Sequence, residues 1–247
     1  MLRSAIFRSS ARSASHRQQS TLVTVHGAGG GAWEFDLWRE PCLRAGWHTV
    51  AYDLEPCPTG IANTTLNDYV EQVVRWPRCS GEKLALVGAS MGGAVALQAA
   101  AVMSPSALVL VNSVVPKPWV RPTVRTSRPL PDVLEWSGSS LESTARALYD
   151  SSPAVQRWAC QRWRDESGSV MRGLYGGYDA PRPDCPILFV ISLDDRDVPS
   201  DQQRAWAAAW GADTLTYPEM SHCGPLLGMR APEVAKEIVA WLASNTT

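Results

Sequence analysis

Ser90 is the residue of this chain best placed for nucleophilic chemistry, because of the short segment around it. The segment reads Gly88-Ala89-Ser90-Met91-Gly92, with a glycine two positions away on either side of the serine. The apolar run at 83–87 predicts a buried strand, and the small residues of 93–101 predict a helix packed closely on a sheet. A tight strand-to-helix turn of this kind lifts the serine hydroxyl clear of the sheet, and the start of the helix favours negative charge nearby. The segment therefore predicts a nucleophilic serine, the alternative being a serine that only caps the helix.

A serine hydroxyl needs a neighbouring base to take its proton, and the chain contains four histidines. His16 lies in the N-terminal segment and His48 opens a predicted strand. His26 precedes a glycine-rich loop, where we expect a structural hydrogen bond. His222 lies in a turn just after the last predicted strand, at the sheet edge that carries Ser90. We predict His222 as the general base, the alternative being an ordinary surface-loop histidine.

The base needs a carboxylate that orients its ring and stabilises the imidazolium. The loop after the predicted strand 187–191 offers three carboxylates, Asp194, Asp195 and Asp197. All three lie between Ser90 and His222 in the chain, so the order of the three groups is serine, aspartate, histidine.

Acyl transfer develops negative charge on the carbonyl oxygen, which two backbone N–H groups can stabilise. One N–H group is expected from Met91, the residue after the nucleophile. The other is expected from the glycine-rich loop 27–31, which follows the predicted strand 22–25 and lies beside the serine-bearing strand.

Strands and helices alternate over most of the chain, which predicts an α/β fold. We expect a mainly parallel, doubly wound sheet of about six strands, covered by helices on both faces. The predicted strands are 22–25, 48–52, 83–87, 107–111, 187–191 and 214–217, and the predicted helices outside the insert described next include 36–45, 66–76, 93–101, 201–210 and 232–243.

The alternation stops between about 116 and 186, a stretch rich in proline and tryptophan. Helical pieces are predicted near 141–149 and 153–164, without intervening strands. An insert above the C-terminal ends of the sheet strands is typical of a lid over a pocket. Trp158 and Trp163 are the candidates for apolar contact with a ligand, the alternative being that they fill the core of the insert.

The first 20 residues contain four arginines, several serines and no acidic residue. This composition is typical of a mitochondrial transit peptide, and it predicts a leader at 1–20 before a single domain at 21–244. The alternative is a disordered tail on a cytoplasmic protein.

The remaining chain holds 19 basic against 24 acidic residues and no basic run, so nucleic acid is not an expected partner. No apolar stretch is long enough to predict a transmembrane helix. The six cysteines have no metal-ligand spacing, so we expect free thiols and no metal site, with Cys223 as a lining residue beside His222.

The serine segment, the serine–aspartate–histidine order and the loop after His26 together resemble the α/β-hydrolase superfamily over residues 21–244. Residues 26–33 and 43–54 resemble the branch that contains plant methylesterases, hydroxynitrile lyases and small-ester hydrolases. The resemblance implies Asp195 as the acid, with Asp194 as the fallback, because residues 192–199 follow the family segment G-x-x-D-x-x-x-P with serine in place of glycine. It also implies Ala28 as the second oxyanion donor, with Gly29 as the alternative and as a substrate contact.

The resemblance implies a serine hydrolase that cleaves a small or medium carboxylic ester or thioester, without a metal or organic cofactor. Two departures are expected: the two earliest strands of the family fold are missing, and no Pro-Gly-His-Gly turn follows residues 53–54. The alternatives are a lyase or acyltransferase with the same triad, or a non-catalytic binding protein on the same scaffold. A lyase of this branch is expected to use a pocket lysine, for which Lys117 is the candidate.

Overall fold

The computed structural model describes residues 20–78, 83–121 and 129–246. The predicted leader therefore lies outside the described residues, except for Ser20, and so does Cys79. Ser20 is already part of the first strand, where it pairs with Trp47.

A six-stranded parallel sheet forms the centre of the molecule, which confirms the predicted fold class. Its strand order is β2-β1-β3-β4-β7-β8, and every neighbouring pair is parallel. In chain order the strands are β1 Ser20–Val25, β2 Trp47–Val50, β3 Leu84–Ala89, β4 Ala107–Val111, β5 Val133–Leu134, β6 Glu166–Ser167, β7 Ile187–Ser192 and β8 Asp213–Tyr217.

Helices cover both faces of this sheet. In chain order they are α1 Asp36–Arg44, α2 Leu66–Arg75, α3 Met91–Met103, α4 Leu141–Ala147, α5 Pro153–Cys160, α6 Gly168–Tyr175, α7 Ser200–Trp210, α8 Gly224–Leu227 and α9 Ala231–Asn245. Helices α2, α3 and α7 pack on one face, and α1 and α9 on the other. The apolar strands are buried on both faces for this reason, as their uninterrupted hydrophobic runs indicate.

The start of α2 shows how local sequence sets an element boundary. Thr65 accepts a hydrogen bond from the backbone N–H of Asp68, and the Asp68 carboxylate accepts one from the backbone N–H of Thr65. This reciprocal capping box satisfies two N–H groups that the helix leaves without intrahelical acceptors. Thr65 therefore fixes the residue at which α2 begins.

Strand β3 and helix α3 approach each other so closely that only glycine fits between them. A Cβ atom on Gly88 would lie 2.2 Å from the carbonyl oxygen of Gly92. A Cβ atom on Gly92 would lie 2.3 Å from the carbonyl oxygen of His26. The two glycines of the serine segment therefore allow the turn to be tight.

The insert contains more regular structure than the sequence predicted. Strands β5 and β6, which were not predicted, form an antiparallel pair of two residues each on either side of the predicted helical pieces. No strand lies between those pieces within residues 141–164, as expected. Helix α6 was also not predicted. A two-residue strand is too short to show an alternating pattern, and Gly168 and Gly173 lower the helical signal of α6.

Among the residues that the structure describes, no helix combines the length and the apolar character needed to cross a bilayer. Cys42, Cys57, Cys160, Cys185 and Cys223 are free thiols.

Candidate active site

Ser90 occupies the turn between β3 and α3 in a conformation that L-residues rarely adopt. Its backbone has φ 53° and ψ −120°. The turn is held by the Ser90 N–H, which donates to the Val111 carbonyl at 2.9 Å, and by the Ser90 carbonyl, which accepts from the N–H groups of Gly93 and Val114. Strain of this kind persists only where the surroundings fix it, and it is common at functional sites. The turn places Ser90 in the wall of a cavity of about 330 Å³.

His222 lines the same cavity and is paired with Asp195. The distance from His222 Nδ1 to Asp195 Oδ2 is 2.8 Å, and the Asp195 side chain has no exposed surface. The other carboxylate oxygen accepts the backbone N–H groups of Asp197 and Val198, at 2.8 and 2.9 Å. A carboxylate fixed in this way keeps the proton of the imidazole on Nδ1, which leaves Nε2 free to act as a base.

The two other candidate carboxylates lie elsewhere. Asp194 is exposed to solvent, and Asp197 is exposed at the cavity wall. The loop sequence offered three aspartates as partners of the histidine, and in the structure Asp195 is the one that bonds the imidazole.

Asn112 joins the two loops that carry Asp195 and His222, and the sequence analysis did not identify it. Its amide Nδ2 donates to the His222 carbonyl at 2.7 Å and to Ser192 Oγ at 2.9 Å, while its Oδ1 accepts the Ser192 N–H at 2.7 Å. Asn112 has φ 42°, a left-handed conformation that asparagine tolerates better than most residues. The available signal was an asparagine directly after the apolar strand β4, at the edge of the sheet that carries the site.

Replacing Asn112 by glycine is expected to lower kcat about 100-fold, with a smaller change in KM. Glycine keeps the backbone conformation but removes all three hydrogen bonds, so the acid and base loops lose their common anchor, and a misplacement of about 1 Å costs this much. Ester turnover and thermal unfolding measured together check the prediction. A lower Tm with an unchanged kcat would show that Asn112 serves stability alone.

Ala28, the second expected oxyanion donor, lies in the glycine-rich loop. Ala28 lines the cavity within a turn closed by the Gly30 N–H and the Gly27 carbonyl. Met91 is the first residue of α3, so its N–H is one of those that the helix leaves without an intrahelical acceptor. The structure thus places both predicted donors beside Ser90.

His26 holds this loop in place, in the structural role predicted for it. Its Nδ1 bonds the Gly27 carbonyl at 2.8 Å, and its Nε2 accepts the Leu54 N–H at 2.9 Å. These partners require a neutral ring with its proton on Nδ1. Burial lowers the pKa of His26 to about 4, so the ring stays neutral at physiological pH.

Gly29 faces the lid rather than the cavity. Its N–H donates to Glu166 at 3.1 Å, and its carbonyl accepts the Arg164 N–H at 2.8 Å. Glu166 also accepts a hydrogen bond from Tyr69 at 2.8 Å. Because the N–H of Gly29 is already engaged, Ala28 is the better placed of the two oxyanion candidates, and Gly29 acts as an anchor between the loop and the lid.

The lid forms much of the cavity wall, through Trp136, Ser139, Ser143, Thr144, Ala147, Trp163, Met171 and Tyr175. Trp163 is therefore at the cavity, as expected. Trp158 is not among the lining residues and lies behind them, edge-on to Trp33 at a centroid distance of 5.0 Å. Trp33 also contacts Trp163, at 5.3 Å. Trp158 therefore supports the aromatic wall, because its ring packs on Trp33 and the Arg162 guanidinium lies over it, 4.6 Å from the ring centroid.

Glu34 is a second residue that the sequence analysis missed. It lies in the 3₁₀ turn Ala32–Phe35, is only 3% exposed and lines the cavity. Its Oε2 accepts the Gly27 N–H at 3.0 Å. Burial raises the pKa of its carboxyl to about 7, although the hydrogen bond from Gly27 lowers it. The sequence signal was a single carboxylate between Trp33 and Phe35, two buried or half-buried aromatic residues.

Two further groups at the site have a simple structural account. Burial raises the pKa of the Cys223 thiol well above its usual value, which disfavours the thiolate form that a cysteine nucleophile needs. Ligand atoms of Asp195, Asp197 and His222 lie within 4.8 Å of one another, a spacing that a cation could bridge. Both oxygens of Asp195 already accept hydrogen bonds, one from His222 and the other from the N–H groups of Asp197 and Val198, and this arrangement suits orientation of the imidazole better than cation binding.

Comparison with known proteins identifies the family. Residues 22–237 match the sequence profile of the alpha/beta hydrolase family, and the chain therefore belongs to that family. No curated protein sequence matches the chain.

Solved structures share the fold at low sequence identity. Polyneuridine aldehyde esterase superposes with a TM-score of 0.69 and 19% identity, over 92% of this chain and 100% of that one. A methylesterase from Arabidopsis gives 0.67 and 17%, over 91% and 98%. A variant of tomato methylketone synthase I, complexed with beta-ketoheptanoate, gives 0.70 and 15%, over 92% and 98%. At these identities the likeness concerns the fold.

Proposed function

We propose that this protein is a serine hydrolase that cleaves small or medium carboxylic esters through an acyl-enzyme. The observation that carries the proposal is the hydrogen bond of 2.8 Å between Asp195 and His222, at a cavity that also contains Ser90 on its strained turn. Membership of the alpha/beta hydrolase family and the esterase names among proteins of the same fold support it.

In the first half of the reaction, Ser90 Oγ attacks the ester carbonyl carbon while its proton passes to His222 Nε2. The carbonyl oxygen takes up the negative charge and accepts hydrogen bonds from the N–H groups of Ala28 and Met91. Asp195 stabilises the imidazolium. The carbon–oxygen bond to the alcohol then breaks, and His222 gives its proton to the leaving alcohol.

In the second half, His222 Nε2 takes a proton from water, and the resulting hydroxide attacks the acyl carbon. The bond to Ser90 Oγ breaks, and the serine recovers its proton from His222. The products are one alcohol and one carboxylic acid, and no electron transfer occurs.

The lyase alternative has less support from the described part of the chain. The candidate lysine, Lys117, is not among the described residues that line the cavity. Its backbone N–H bonds the Tyr178 carbonyl at 2.9 Å, and its side chain packs near Gly177. A methylketone synthase has the same fold, so the product analysis below also tests for non-hydrolytic chemistry.

Covalent labelling with a fluorophosphonate tests the proposal, with the modified residue mapped by mass spectrometry. We expect an adduct on Ser90, its loss in Ser90→Ala, and slowing of labelling by at least about 1000-fold in His222→Ala, because the hydroxyl then lacks its base. Hydrolysis of esters in ¹⁸O-labelled water is expected to place the label in the acid. A folded protein without an adduct would contradict the proposal and favour a binding protein. An acyl group found on an acceptor other than water would favour transfer, and an unlabelled acid would favour elimination.

A further inference from the structure

The described wall of the cavity beside Ser90 contains more acidic than basic side chains. Among the described residues that line it, Glu34 and Asp197 are acidic, His222 is the one basic side chain, and there is no lysine or arginine. The carboxylate of Asp195 lies directly behind His222. When His222 is neutral, as a general base must be before the reaction, the described lining residues place no cation beside Glu34.

We infer that the site selects uncharged or ammonium-bearing esters and rejects esters that carry a second carboxylate, with Glu34 as the specificity-determining residue. This inference rests on the proposed function, because it specifies the substrate class of the same cavity.

Glu34 is fixed close to the reacting centre. A Cβ atom on Gly27 would lie 3.3 Å from Ser90 Cβ and 3.8 Å from Glu34 Oε2, so the serine and the carboxylate flank the same glycine. The hydrogen bond from the Gly27 N–H keeps the carboxylate at that place. A substrate whose carbonyl contacts Ser90 therefore has to lie near this charge.

The neighbouring arginine does not neutralise Glu34. Arg164 forms ion pairs with Asp53 at 3.4 Å and with Glu55 at 3.0 Å, and it is not among the lining residues. Its positive charge is thus matched by two carboxylates on the outer side of the glycine loop. Buried and nearly enclosed, Glu34 acts through a medium of low dielectric constant, where a like charge is repelled more strongly than in water.

Three methyl esters of equal chain length test the inference: methyl butyrate, β-alanine methyl ester and monomethyl succinate. Around pH 8 the Glu34 carboxyl, with its pKa of about 7, is mostly ionised, and the ammonium and succinate groups are charged. Like charges about 8 Å apart at an effective dielectric constant of about 20 change a rate constant about 30-fold. We expect kcat/KM for methyl butyrate to exceed that for monomethyl succinate by about this factor, and β-alanine methyl ester to react at least as well as methyl butyrate.

Substitution of Glu34 by glutamine removes the charge but keeps an oxygen that accepts the Gly27 N–H. We expect the butyrate-to-succinate ratio of kcat/KM to fall about tenfold in Glu34→Gln. Glu40→Gln, an exposed change on α1, is the matched control and is expected to leave the ratio unchanged. A ratio near one in the wild type, or the same ratio in Glu34→Gln and wild type, would overturn the inference.

A binding measurement separates this inference from the proposed function. Trp136 and Trp163 line the cavity, so their fluorescence reports its occupancy. Titration with hexylammonium, 1-hexanol and hexanoate requires no turnover, and we expect binding to weaken in that order. If Ser90 is not labelled by a fluorophosphonate but this order is found, the hydrolase proposal fails and the charge selectivity stands. If Ser90 is labelled and hexanoate binds as well as hexylammonium, the hydrolase proposal stands and the charge selectivity fails.

Discussion

Asp195→Asn is expected to lower kcat for ester hydrolysis about 10,000-fold, the loss seen when a triad aspartate is replaced by its amide. The contacts of this side chain give the reason. One carboxylate oxygen accepts the N–H groups of Asp197 and Val198, so the single oxygen of asparagine has to take that position. The amide NH₂ then faces His222 Nδ1 and donates to it, which moves the imidazole proton to Nε2. Nε2 then carries a proton and cannot accept the one from Ser90, although the shape of the side chain at position 195 is unchanged.

Asp194→Asn is the matched control, since it makes the same chemical change one residue away on an exposed side chain. We expect its kcat to stay within about threefold of the wild type, since surface substitutions rarely disturb a site. Steady-state kinetics of both variants, with thermal unfolding to verify that each is folded, decide the assignment. Loss of activity in Asp194→Asn with retention in Asp195→Asn would reverse it.

Gly88→Ala is expected to have the largest effect on stability. The added methyl group would lie 2.2 Å from the Gly92 carbonyl oxygen and 2.6 Å from the Gly93 Cα, and both are backbone atoms that cannot turn away. Strand β3 and helix α3, both largely buried, would have to separate. We expect the free energy of unfolding to fall by about 3 kcal/mol or more, and Tm by about 10 °C, as measured by calorimetry.

Gly173→Ala adds the same methyl group where nothing lies within 4 Å. Gly173 is exposed in helix α6, and alanine favours a helix over glycine by about 0.5–1 kcal/mol, so we expect equal or slightly higher stability. Equal Tm values for Gly88→Ala and Gly173→Ala would show that the strand and helix can move apart at little cost.

The sequence was most informative where local chemistry is restrictive. A serine between two glycines, after an apolar strand and before a helix of small residues, permits few conformations, and the turn at Ser90 has the positive φ that such a segment requires. The sheet was equally predictable from the sequence, because strands that are buried on both faces have continuous apolar sequences. Within the lid, by contrast, the paired strands β5 and β6 are set by tertiary contact alone.

Glu34, Asn112 and Glu166 show what a single sequence could not reveal. Asn112 and Glu166 act on partners far away in the chain: Asn112 contacts Ser192 and the His222 carbonyl, and Glu166 contacts Gly29. Glu34 bonds the nearby Gly27, but its place beside Ser90 depends on where two separate segments of the chain meet. No local pattern encodes such a pairing. Trp158 and Trp163 illustrate the same limit. Both are tryptophans of one insert, but Trp163 lines the cavity and Trp158 lies behind the lining residues.

The sequence by itself determined the strand-to-helix turn, the parallel sheet and the order of serine, aspartate and histidine, because these depend on residue type and on short-range periodicity. Only the tertiary structure decided which aspartate contacts the imidazole, which loop N–H is free for an oxyanion, and that a buried carboxylate lies beside the nucleophile. The physical reason is that hydrogen-bond geometry and burial depend on where separate loops meet, at the C-terminal edge of the sheet, and that meeting is specified by packing of the whole domain.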